Sequence, residues 1–170
     1  MKWSFKLRQL PKELKLLVFF FLFSLLFGYG ASFMILIDQT SLSPAGIEEN
    51  YNGNEENEAA ETIKFKKSKF QMLTSIHSHV FTLGVIFLLT GFLACFTGLP
   101  SKIKLFLMVE PLVSLIVTFT SLILMWKDLP LFSYLAYLSG GLMHGSFVIT
   151  ILLLIRELYF TRVETSSNSS

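Results

Sequence analysis

The sequence predicts an all-α integral membrane protein, an antiparallel four-helix bundle. Two observations carry this. The chain is 52% hydrophobic and only 15% charged over 170 residues, with 18 Phe, and its mean hydropathy is +0.60; a soluble domain of this length does not have so apolar a composition. Its apolar residues also gather into four runs, each near the roughly 20 helical residues that cross a hydrocarbon core about 30 Å thick.

Residues 1–15 form a basic tail with Lys2, Lys6, Arg8, Lys12 and Lys15. Residues 16–37 are the first span; the run exceeds the about 7–15 residues of a signal-peptide core and has no clean small-x-small exit, so it reads as an uncleaved anchor. Residues 38–75 are a polar outer loop with seven acids, Asp38, Glu48, Glu49, Glu55, Glu56, Glu58 and Glu61, too poor in apolar residues to hold its own core. Within it Ser43 reads as a helix N-cap with Pro44 at the first helical position, and Asn52-Gly53 as the stop. A further helical stretch is expected from about Glu58 towards the next span, with Ile63, Phe65 and Phe70 lying on the membrane surface. The acids match no calcium-loop spacing and read as solvated; Tyr51 and Gly53 are the loop residues that invite mutation. The remaining spans are 76–99, 103–125 and 130–155, joined by short turns at Pro100-Ser101 and Lys127-Asp128, and residues 156–170 are a second tail.

Orientation is read from Lys and Arg near the span ends. An inside N-terminus places nine on the cytoplasmic side (the five of the tail, Lys102, Lys104, Arg156 and Arg162) and five outside (Lys64, Lys66, Lys67, Lys69 and Lys127). Both termini are therefore expected in the cytoplasm. The Lys64-Phe65-Lys66-Lys67-Ser68-Lys69 cluster just before the second span pulls the other way. Asn168-Ser169-Ser170 fits a glycosylation acceptor pattern, to which the cytoplasmic placement gives no meaning.

Composition excludes several functions. The net charge is +2 with no single basic face, so nucleic acid is not an expected partner. One cysteine, Cys95, excludes an intramolecular disulfide, a multi-cysteine metal site and paired-thiol redox chemistry. No P-loop, HExxH or nucleophile-base signature occurs, which argues against a hydrolase or ATPase.

Ionisable groups inside a bilayer cost about 2.5–3.5 kcal/mol on insertion scales, so each is a candidate functional residue. Four qualify: His77, His79, Glu110 and His144. On a helix His77 and His79 point about 200° apart. His77 is expected to face the bundle, because it opens a seven-residue series with Gly84, Gly91 and Gly98, and small residues mark close helix approach. In extended backbone the two imidazoles would instead project together and could chelate a metal ion; the bland alternative is a solvated interfacial pair. Glu110 precedes Pro111, which leaves the Leu107 carbonyl without its helical donor. Ser114, Thr118 and Ser121 follow at helical spacing, a polar stripe expected to face the interior; otherwise Glu110 sits in a kinked packing helix, neutral or paired with Lys102 or Lys104. His144 lies in a stretch rich in small residues, 139–146, where Ala136, Gly140 and His144 share one face and Gly141 with Gly145 forms a GxxxG pair. A haem b held between histidines of the second and fourth spans would need similar depths, whereas, with the hydrocarbon parts starting near His79 and Ala136, His144 counts about 12 Å deeper at 1.5 Å per residue.

Gly46-Ile47, Tyr51-x-Gly53, His77-x-His79, Glu110-Pro111 and the glycine-rich stretch of the fourth span together resemble small uncharacterised bacterial four-span membrane proteins. That likeness covers most of the chain and implies a bacterial inner membrane. The sequence does not resemble quinone-reducing thiol oxidases, vitamin-K-reductase-like enzymes or claudin-like proteins, whose cysteine pairs it lacks. Two functions follow as expectations. The first is a non-enzymatic or accessory subunit of a membrane complex, with a membrane-protein partner beside the lipid bilayer. The other is a small redox protein binding haem, quinone or a metal ion through His77, His79 and His144, with Glu110 as a further polar group.

Overall fold

The computed structural model describes residues 5–55, 57 and 62–159. Within them the chain forms α1 (Lys12–Thr40), α2 (Pro44–Asn52), α3 (Lys69–Cys95), α4 (Ser101–Trp126) and α5 (Phe132–Tyr159). All but α2 are long and apolar enough to cross a membrane. They form an all-helical membrane bundle.

The helices are not packed evenly. α4 and α5 make the most extensive contact, α3 lies on α4, and α1 touches α5 more sparsely. Burial follows that order: α4 buries ten residues, among them Leu107, Leu115, Leu122 and Met125, while α1 buries only Leu22 and Thr40. In hydrocarbon the outward Leu and Phe of α1 lose nothing by facing lipid, so close packing and interhelical hydrogen bonds, not apolar burial, decide which helices associate. One such bond joins the central pair, between the hydroxyls of Thr118 and Ser139 at 2.8 Å, both buried. The Gly140 backbone approaches Thr118 there, where an added Cβ would lie 3.7 Å from its methyl group.

The helix ends depart from the expected spans in ways that local chemistry explains. α3 starts at Lys69, because Ser68 and Gln71 form a capping box in which each side chain accepts from the other's backbone N–H. It stops at Cys95 instead of continuing to Leu99: Pro100 disfavours helical backbone at Leu99, and the turn closes with Thr97 Oγ1 donating to the Ala94 carbonyl. At the same end Lys104 Nζ donates to the carbonyls of Cys95 and Thr97, at 3.0 and 2.9 Å, filling acceptors that a helix C-terminus leaves orphaned. α5 runs on to Tyr159 and buries Glu157 and Leu158.

At the opposite end α2 folds back over the bundle. Ser43 caps it by accepting from the Gly46 N–H at 3.0 Å, Pro44 occupies its first turn, and Gly53 ends it at φ +86°. The helical stretch expected from about Glu58 does not form in its described part. Residues 62–68 are irregular, with Glu58 and Glu61 outside the described residues. The reason is tertiary: this segment is hydrogen-bonded to the end of α2, through Asn54 N–H to the Lys64 carbonyl, Lys64 N–H to Asn54 Oδ1 and Lys67 N–H to the Tyr51 carbonyl. Ile63, Phe65 and Phe70 are all exposed.

Candidate functional site

The polar stripe of α4 is interior. Glu110, Ser114, Thr118 and Ser121 are all buried, and α4 passes through Pro111 without a break in its helical assignment. Glu110 is 8% exposed. Its Oε1 accepts the Ser114 hydroxyl at 2.5 Å, while Oε2 is buried and has no hydrogen-bond partner among the described residues. The pairing with Lys102 or Lys104 is not what the fold contains: Lys102 is exposed, and Lys104 is committed to the α3 terminus. A lysine ammonium close to the bilayer surface satisfies two carbonyls there without entering hydrocarbon, which the reach to Glu110 would require.

The histidines do not converge. His77 is exposed, contrary to the inward placement read from its glycine series, and its ring lies against Phe81 of the same helix with centroids 5.3 Å apart. The series rotates because seven residues fall about 20° short of two full turns, so His77 is roughly 40° around the helix from Gly91, and Gly98 lies beyond the end of α3. The close helix approach is also local. A Cβ on Gly91 would meet the Met108 backbone at 3.6 Å, but one on Gly84 would meet nothing within 4 Å. His79 is exposed too; its Nδ1 bonds to the Ser75 carbonyl at 2.8 Å, and its ring sits 5.9 Å from that of Phe119 on α4. The backbone there is helical, so the extended geometry that would chelate a metal through both imidazoles is absent.

His144 occupies a different surface, half-buried between α5 and α1, with ring centroids 5.6 Å from Tyr29 and 6.5 Å from Phe33. Phe119 adjoins Thr118, which is level with Ser139, and His144 lies five residues further along α5, or about 8 Å at helical rise. His79 and His144 thus differ in depth and in the helices they face. Among the described residues no group of three or more His, Cys, Asp or Glu side chains is placed to hold a metal ion.

The most densely bonded polar region is one that sequence reading credited only in part, the junction of α2, residues 62–68 and the α4–α5 turn. Asn52 Nδ2 donates to the Met125 carbonyl at 3.0 Å, and Trp126 Nε1 donates to the Lys67 carbonyl at 2.7 Å. Lys66 pairs with Asp128, Lys64 Nζ donates to the Gln39 carbonyl, and the Lys67 ammonium stands 4.0 Å over the Tyr51 ring. Burial pushes the Tyr51 phenol above its ordinary value; burial, with the charge of Lys64, pushes the Lys67 ammonium below its own. Tyr51 therefore presents a neutral ring to the cation, the favourable arrangement for cation–π attraction. Gly53 belongs to the same junction, since a Cβ there would lie 2.8 Å from both the Lys64 carbonyl oxygen and the Lys66 nitrogen. Chemically this is a clasp, built from one lysine that caps a carbonyl, one paired with an aspartate, one over an aromatic ring, and an indole that anchors a loop.

At the other end sequence reading missed Glu157, which it left in a tail. Glu157 is 7% exposed, and its Oε1 accepts the Gly98 N–H at 3.2 Å. Its spacing of three from Leu154 and seven from Thr150, both buried, was the available signal.

No curated protein matches the chain, and no solved structure does. A family model described as a transmembrane helical domain, Aq_1264_TM, matches residues 41–165, which takes in α2 through α5 but not α1. The chain is a multi-pass membrane protein and belongs to the Aq_1264_TM transmembrane helical domain family.

Proposed function

We propose that the protein is a non-enzymatic accessory subunit of a membrane complex, recruited by contact between transmembrane helices. The observation that carries this reading is the state of the GxxxG pair. Gly141 and Gly145 are exposed on α5, and a Cβ built on either meets nothing within 4 Å. Glycine weakens a helix relative to alanine and is favoured where another helix must approach closely; among the described residues no helix does so at these two positions. A membrane-protein partner seated there would complete the face.

The test is Gly141→Leu with Gly145→Leu, made together. We expect the protein to remain helical and in the membrane while its co-purification with the partner from native membranes weakens at least about tenfold, or about 1.4 kcal/mol. A protein that runs as the same lone species with and without the substitutions would overturn the reading.

The membrane we infer is a bacterial inner membrane, with both termini cytoplasmic. The nine-to-five lysine and arginine count supports the orientation, and the resemblance to small bacterial four-span proteins supports the membrane. With Cys95 replaced by serine, a cysteine at position 127 should react with an impermeant maleimide on intact cells and one at position 102 should not. Labelling at 102 alone would invert the topology.

A further inference from the structure

We propose that an anionic glycerophospholipid binds in the cleft between α3 and α4 at the α2 end of the bundle, its acyl chain between the helices and its headgroup between Lys69 and Lys127. At that end the two helices leave a crevice of about 190 Å³ lined by Met72, Ile76, Ile123 and Trp126, with the two lysines also in its wall. Its walls are apolar, and its open end is at the level of the helix termini.

Three properties favour this occupant. A gap open to hydrocarbon forfeits dispersion contacts unless something fills it, and an acyl chain is the filler that a bilayer supplies without cost in polar desolvation. The charge at the mouth is uncompensated: Lys69 and Lys127 are both exposed, and neither forms an ion pair among the described residues. The acid next to Lys127, Asp128, is engaged by Lys66. The indole of Trp126, with its N–H held by the Lys67 carbonyl, is fixed as a rigid apolar wall.

The site can be read through that indole, because the chain has only two tryptophans and the other, Trp3, can be replaced by phenylalanine. Full-length Trp3→Phe protein is placed in bilayers of phosphatidylcholine containing increasing amounts of chain-brominated phosphatidylglycerol, and in the converse mixture with the bromine on phosphatidylcholine. Quenching of Trp126 should reach half its maximum at a lower fraction of brominated phosphatidylglycerol, by about fivefold for each lysine engaged. Lys69→Gln with Lys127→Gln should bring the two curves together while circular dichroism stays unchanged. Coincident curves in the parent protein, a preference that survives removal of both lysines, or no quenching by either lipid would each overturn the proposal.

Discussion

Gly46→Val is expected to lift α2 away from the end of α1 and to cost the folded protein about 3 kcal/mol, at the upper end of what overpacking does. A Cβ at position 46 would stand 1.9 Å from the Thr40 carbonyl oxygen and 2.6 Å from its carbon. Both are backbone atoms, so no rotamer change relieves the clash. The corner also has little slack: Ser41 and Leu42 already take positive φ values of 48° and 47°, a conformation unfavourable for non-glycine residues. It is held by Ser43 N–H to the Thr40 carbonyl and by the Ser43 hydroxyl capping Gly46. Even alanine should have most of the effect. Reversible unfolding in detergent micelles measures the cost, and proteolysis between residues 53 and 68 reports the release of α2. A Gly46→Ala protein as stable and as protease-resistant as the parent would show that the corner has room the geometry denies it.

Phe147→Ala should cost a similar amount, about 3–5 kcal/mol before lipid relaxes into the gap. Phe147 is 6% exposed and is where the outer helices meet α5: its ring lies 5.7 Å from Tyr29 of α1 and 5.4 Å, edge-on, from Phe87 of α3. Truncation therefore removes contacts to two helices at once. The control is Leu152→Ala, on the same helix but 54% exposed, which should change stability by less than about 1 kcal/mol. Equal effects from the two substitutions in the same unfolding measurement would mean that Phe147 is no more than another lipid-facing side chain.

What could be read from the sequence was what local chemistry decides. Four apolar runs gave the four membrane helices, and Ser43-Pro44 with Gly53 marked both ends of α2, because capping needs only neighbours along the chain. The 110–121 stripe was found as a face for the same reason, since its polar residues recur at helical period. Contacts between distant segments were not accessible. The inward assignment of His77 failed because a seven-residue repeat drifts around a straight helix and because the close approach of Met108 at Gly91 is not repeated at Gly84. The stretch from about Glu58 reads as helical, yet in its described part, residues 62–68, the end of α2 supplies hydrogen-bond partners instead. Lys104 was considered as a partner for Glu110, and two orphaned carbonyls nearer the surface took it. Of the candidate site, the sequence named the ionisable residues but not the clasp, whose key bonds join Asn52 and Lys67 to the last turn of α4.

The sparse burial of α1 has a mechanical consequence. Below, the Leu7 N–H donates to the Phe96 carbonyl; above, Lys64 reaches the Gln39 carbonyl and Gly46 abuts Thr40. The helix between is a strut pinned at its two ends. Its outward residues can be exchanged for other apolar ones with little penalty, but its length cannot change. One inserted residue would turn one pinned end by about 100° relative to the other and lengthen the strut by about 1.5 Å, so evolution of this span is constrained in residue number and free in residue identity.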